Sequence, residues 1–214
     1  MKPEIYKDEL SDELYSIIKN NDFQTILEIG CASGEGSTSY LTSSIIENSK
    51  NTILYGIEFN KEFYNELINR YKNLTFCKFY NVSSVNFSEF LSDEYIKFFK
   101  LKSQVSPVTP EIILEWKHYD FEYLSKNKMN QNGIELIKKE NKIEYFDFVL
   151  LDGSPFTGYA EFNKIFGAEY IVLDDINDIK HNDTYHILKN SNQYILYKEN
   201  WELRNGYAIF KKQF

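Results

Sequence analysis

Thr25-Ile26-Leu27-Glu28-Ile29-Gly30-Cys31-Ala32-Ser33-Gly34-Glu35-Gly36-Ser37-Thr38 is the stretch on which the reading of this chain turns. It opens as a short run of strand-forming residues and breaks into glycines and small residues. Apolar residues then return at helical spacing, with Tyr40, Leu41, Ser44 and Ile45 on one face. Strand, glycine-rich turn and helix follow in that order. Such a unit begins a doubly wound parallel sheet, whose ligands bind at the carboxyl ends of the strands. Glycine there lets the backbone approach a ligand, because no Cβ intervenes. The spacing Gly30, Gly34, Gly36 is not the G-x-G-x-x-G of a dinucleotide fold, and no Lys-Ser/Thr follows to complete a P-loop. Glu28, two residues before the first glycine, would repel a phosphate and suits a cationic ligand. An ordinary strand-to-helix turn of another α/β protein stands as the alternative.

Composition narrows the classes. At 214 residues the chain suits one domain carrying an insertion. A formal net charge of -8 argues against a broad basic surface for nucleic acid. Cys31 and Cys77 are the only cysteines and lack C-x-x-C spacing, which points to reduced thiols and a cytoplasmic location. The polar start, Met1 to Asp8, has no apolar core for a signal peptide, and no run approaches a membrane span.

The other elements read outward from the glycine turn. Leu10, Leu14, Ile17 and Ile18 share a helical face before it. Thr52 to Glu58 is a second strand ending in an acid, placed to accept hydrogen bonds from both hydroxyls of a ribose. A surface carboxylate at a helix start is the competing reading. Leu74 to Tyr80 is a third strand, Ile143 to Leu151 a fourth, Tyr170 to Asp178 a fifth ending in acids, and Tyr194–Lys198 and Tyr207–Lys211 form a closing antiparallel pair. Residues 88–132 exceed what a crossover needs and read as a helical insertion over the cleft. Within it Ser106-Pro107 breaks one helix, and Thr109 caps another with Pro110 at its first position. Its aromatic residues either line a substrate pocket or pack the insertion against the sheet or a second subunit. The expected architecture is a seven-stranded doubly wound α/β sheet with an antiparallel last strand.

Asp152, Asp174 and Asp175 all fall at carboxyl ends of strands expected to be neighbours. Three carboxylates on one rim need a compensating cation or raised pKa values. A hard divalent ion such as Mg²⁺ prefers such oxygen ligands. Alternatively, Asp152 belongs to an Asp-Gly turn and Asp175 caps the next helix.

Several of these stretches carry a resemblance. Glu28-x-Gly30-x-Ala32-x-Gly34, with Ala at the middle glycine, resembles the first motif of the class I S-adenosylmethionine-dependent methyltransferases. Gly56-Ile57-Glu58-Phe59-Asn60 resembles their second. Phe146 to Ser154 and Tyr170 to Asp175 resemble later blocks of metal-dependent O-methyltransferases, of the catechol type and the bacterial sugar and natural-product types. The likeness spans Thr25 to Tyr80 and Tyr145 to about His186. It implies that Gly30, Cys31, Ala32, Ser33 and Gly34 hold the methionine part of the cofactor. It places Glu58 and Phe59 at the ribose, Asn81 and Ser83 beside the adenine, and Asp152 close by. Asp152, Asp174 and Asp175 match the metal positions. The implied activity is O-methylation of a small molecule or sugar, with no nucleic-acid partner and with a homodimer contact as one use of the insertion. Those families often place a Lys or His three residues after the first metal Asp, as a base; here that residue is Pro155. Asp152, Lys180 and His181 are the substitutes, with His186 and His118 less well placed. A cofactor-binding protein without catalysis and an NAD-linked oxidoreductase are the alternatives.

Overall fold

The structure is a computed structural model describing residues 4–102 and 108–213. The helix break at Ser106-Pro107 lies outside the described residues. The glycine turn sits where expected, between β1 (Thr25–Ile29) and α2 (Ser37–Asn48). The chain then builds β2 (Ile53–Ile57), α3 (Lys61–Tyr71) and β3 (Cys77–Tyr80) outward, and returns to lay β4 (Phe148–Leu151) on the other side of β1. That reversal opens a crevice at the carboxyl end of β1. β5 (Tyr170–Asp174) pairs parallel with β4, and β7 (Tyr207–Lys212) lies antiparallel between β5 and β6 (Tyr194–Asn200). The order is β3-β2-β1-β4-β5-β7-β6.

Helices cover both faces, so the central strands are mostly apolar and buried: every residue of β4 and β5 is buried, the last of β5 being Asp174. One face packs under α1 (Glu9–Asn20), which is opened by an Asp8–Ser11 capping box and buries Leu10, Leu14, Ile17 and Ile18, and under α2. The other carries α4 (Asp93–Lys102), α5 (Pro110–Lys126), α6 (Gly133–Asn141) and α7 (Gly158–Ile165). α8 (Asn182–Lys189) precedes β6.

Several boundaries differ from the sequence reading. β5 ends at Asp174, where Asp175 turns the chain out of the strand at φ 60°. Leu74 and Cys77 close a turn, their N–H groups donating to Tyr71 and Leu74, so β3 starts late. β4 also starts late. Asp147 instead uses its carboxylate to take the Gln24 and Thr25 N–H groups at 2.7 and 2.8 Å, pinning the start of β1. Asn130 to Gly133, read as the end of the insertion, is the start of α6: the Asn132 side chain accepts the Glu135 N–H. Pro110 does occupy the first turn of α5, but the Thr109 side chain makes no capping bond. Among the described residues no helix is long and apolar enough to cross a membrane.

Candidate cofactor and acceptor cleft

Two adjoining lobes open at the carboxyl ends of the strands, of about 460 and 320 Å³. They share Gly30, Ala32, Phe63, Asp152, Gly153 and Pro155. Their meeting point depends on Gly30. Its φ is +92°, and a Cβ there would lie 2.1 Å from the Asp152 carbonyl oxygen, so only glycine lets the β1 and β4 ends come this close. Ala32 holds a left-handed φ of 46°, which costs an L-residue about 1–2 kcal/mol. Its N–H donates to Glu58 Oε2 at 2.8 Å, which holds the strained turn in place. Glu58 Oε1 accepts the Asn60 N–H at 2.7 Å. Each carboxylate oxygen keeps a further lone pair for the second lobe, whose wall Glu58 forms. Burial raises the Glu58 carboxyl above its usual range, against those two backbone bonds.

The second lobe continues past Phe59, Val82, Ser83 and Ser84 to Glu161 on α7. Glu161 is buried; its Oε1 accepts the Ser84 hydroxyl at 2.5 Å. Its Oε2 has no hydrogen-bond partner among the described residues. The insertion closes this lobe: Phe90, Asp120 and Leu124 line it. Ser154 donates to Asp120 at 2.7 Å, and the Tyr123 hydroxyl accepts the Lys61 N–H at 2.8 Å. Residues 88–132 are therefore part of the lobe wall as well as a cover over it.

The acidic cluster lies on the wall of the first lobe, to which Asp152 and Asp175 contribute, with Asp174 behind them. One oxygen each of Asp152, Asp174 and Asp175 falls within 4.8 Å of the others. The cation that answers their repulsion belongs to the protein. Lys180 Nζ lies 2.7 Å from Asp152 Oδ1 and 2.9 Å from Asp175 Oδ2, and Arg204 Nη2 lies 2.8 Å from Asp174 Oδ1. Burial and the neighbouring acids push Asp152 up against the pull of Lys180, and burial raises Asp174. Burial would raise Asp175 too, but Lys180 and Asn205 hold it below its usual range. Burial opposes the Lys180 charge, yet the three carboxylates keep it well above the ordinary lysine value. A Mg²⁺ ion needs oxygens at about 2 Å in near-octahedral array. With Lys180 bonded to two of the three acids, the residues as they stand do not fit one.

The remaining expected residues sort by position. Cys31 and Ser33 line the first lobe. Gly34 does not; it turns under Tyr71, whose hydroxyl donates to the Gly34 carbonyl at 2.5 Å. Glu28 is fully buried below the loop and faces α2, accepting the Ser37 and Thr38 hydroxyls at 2.5 and 2.8 Å. It meets the positive end of that helix in place of a cationic ligand. Asn81 lies outside both lobes and donates to the Glu58 and Phe59 carbonyls at 2.8 and 2.9 Å, bracing the turn. The Ser83 hydroxyl donates to Val85. Asp174 is fully buried behind the rim. His181 is buried, outside both lobes, with neither ring nitrogen hydrogen-bonded among the described residues. Burial and the adjacent Lys180 charge lower its pKa to about 3, so it stays neutral. Sequence reasoning missed Glu161, Asp120 and Arg204. Each is a charged residue inside an otherwise ordinary helix or hairpin, and only the tertiary fold reveals its partner.

No family model and no curated protein matches the chain. Solved structures do. An O-methyltransferase from Bacillus cereus in complex with S-adenosylhomocysteine superposes with a TM-score of 0.61 at 14% identity, over 98% of this chain and 83% of that one. The O-methyltransferase TomG from Streptomyces achromogenes, involved in tomaymycin synthesis and bound to S-adenosylmethionine, gives 0.58 at 11%, over 99% and 82%. A methyltransferase from Podospora anserina bound to S-adenosylhomocysteine gives 0.53 at 10%, over 99% and 81%. The fold is that of the class I S-adenosylmethionine-dependent methyltransferases.

Proposed function

We propose that this chain transfers a methyl group from S-adenosylmethionine to a hydroxyl oxygen of a small molecule or sugar. The observation that carries the reading is the convergence of the Gly30–Ser33 backbone, the Glu58 carboxylate and Asp152 on one two-lobed cleft at the strand ends. The cofactor has a cationic centre and no phosphate, which suits a cleft rimmed by acids and free of a phosphate cradle. Backbone groups of Gly30 to Ser33 hold the methionine part, and the spare lone pairs of Glu58 take the ribose hydroxyls. Phe59 and Ser83, on the wall of the second lobe that Glu161 helps to form, would flank the adenine.

When bound, S-adenosylmethionine would supply an electrophilic methyl group, the pair of the broken C–S bond leaving with sulfur as the acceptor oxygen bonds the carbon. Asp152 would take the hydroxyl proton; burial and its acidic neighbours raise it above the usual carboxylate range, against the pull of Lys180. In-line positioning by the two lobes supplies much of the rate. The divalent ion expected from the sequence takes no part in this reading, because Lys180 and Arg204 already answer the acids. Neutral, buried His181 takes none either.

S-adenosylhomocysteine is expected to raise the melting temperature in differential scanning fluorimetry, and NAD to leave it unchanged. Glu58→Ala should weaken the shift. A shift with NAD alone would overturn the methyltransferase reading, and an undiminished shift in Glu58→Ala would remove that residue from the ribose site.

A further inference from the structure

We infer that Lys180 is a built-in cation holding the place of a divalent ion in the Asp152–Asp174–Asp175 cluster, so that this chain excludes metal from a site whose acids would otherwise bind it.

The geometry is specific. Lys180 Nζ reaches Asp152 at the end of β4 and Asp175 just after β5, at 2.7 and 2.9 Å. It bridges the two strands as a shared metal would. The side chain is 6% exposed, so the ammonium has left bulk water and depends on these partners for its charge. A divalent ion would have to break both contacts and strand that charge. Arg204 occupies Asp174 from the hairpin side and also pairs with Asp8, so the third acid is engaged as well.

The fold builds this arrangement locally. Asp175 sits at φ 60°, turning the chain out of β5. The Asp178 N–H donates to the Asp175 carbonyl at 3.0 Å, and the Asp178 carboxylate takes the Ile179 N–H at 2.6 Å. That compact turn brings Lys180 back over Asp175. Gly158, at the start of α7, lets that helix press on the same point: a Cβ there would lie 2.2 Å from the Lys180 carbonyl oxygen.

Lys180 also stands between cavities. It lines the first lobe and a separate cavity of about 490 Å³ walled by Leu91, Tyr95, Tyr159 and Ile187. An ammonium has three N–H donors, and two are committed to carboxylates. The third is left for an oxygen entering from either side. If the methyl-transfer reading holds, on which this last point rests, that oxygen belongs to the acceptor.

The test uses Mn²⁺ as the probe, by electron paramagnetic resonance and calorimetry on the whole chain. Wild type should bind it no more tightly than about 1 mM, the weak end of carboxylate sites. Lys180→Ala should bind Mn²⁺ at least about tenfold tighter, and adding Asp152→Asn should abolish that gain. Lys180→Arg, which keeps the charge, should still exclude the ion. Binding by the wild type in the micromolar range that Asp152→Asn removes would overturn the inference. So would a folded Lys180→Ala that gains nothing; if that variant does not fold, Lys180→Met replaces it and the wild-type titration stands regardless. S-adenosylhomocysteine binding, measured on the same samples, separates the two readings: its loss in wild type sinks the methyltransferase proposal and leaves the metal result untouched.

Discussion

Glu28 illustrates what a single residue's burial does. It was legible as an acid next to a glycine turn, but its side chain points into the fold. Its environment sets its chemistry: burial raises the pKa from 4.5 to about 7, against the pull of the Ser37 and Thr38 hydroxyls. An acid whose folded pKa is raised binds its proton more tightly in the native state. Its contribution is complete below the unfolded value of 4.5 and is lost as pH rises through about 7. The loss amounts to about 3 kcal/mol. Glu28→Gln keeps the shape and cannot ionise, so its stability relative to wild type should grow by roughly that amount between about pH 5 and pH 8. Urea unfolding at several pH values measures it. A gap between the two proteins that stays constant with pH would mean that Glu28 does not titrate in this window.

At the scale of elements, the strand ends were readable and the returns were not. Apolar runs ending in Glu58, Asp152 and Asp174-Asp175 announce parallel strands with acids at one rim, although β1 also buries Glu28 within its own length. The helix α6 was hidden because Asn and Gly both end and begin helices, and Asn132 does the latter. Arg204 was hidden because its partner Asp174 is 30 residues away and brought near only by β7 inserting beside β5. Lys180 was noted as a possible base. Its contact with Asp152 and Asp175 depends on a turn whose shape no periodicity encodes. The junction of β1 and β4 offers a direct test of the element that was read best. Gly30→Ala would drive a Cβ to 2.1 Å from the Asp152 carbonyl at a φ unfavourable to alanine. The strands must part or the turn must refold, at a cost of about 3 kcal/mol or more. The variant should melt several degrees lower and lose S-adenosylhomocysteine binding. Unchanged affinity in a folded Gly30→Ala would mean that the close approach of the two loops is not part of the ligand site.

Across the whole molecule, the loops at the strand ends, the N-terminal segment and α3 line the first lobe, and the insertion helps to wall the second. The sequence marked residues 88–132 as additional to the core, because their length exceeds a crossover, yet no pattern says what an added segment touches. Among the described residues, α5 buries Ile113 and Leu124 in the core and is also tied to it by hydrogen bonds at Tyr123 and Asp120. Tyr123 takes the Lys61 N–H at 2.8 Å and stacks edge-on against Phe59, ring centroids 5.8 Å apart; Ser154 reaches Asp120. Phe59 and Leu124 are both on the wall of the second lobe, so any loosening of α5 is felt where the adenine is proposed to lie. Tyr123→Phe keeps the ring and deletes one hydrogen bond, worth about 1 kcal/mol. If α5 clamps the bound cofactor, affinity for S-adenosylhomocysteine should fall by about fivefold, with the fold intact by circular dichroism. Wild-type affinity in Tyr123→Phe, alongside a lower melting temperature, would reduce the fastening to core packing. The insertion's influence would then be confined to the acceptor side, where Leu91 and Tyr95 face Lys180 across the third cavity.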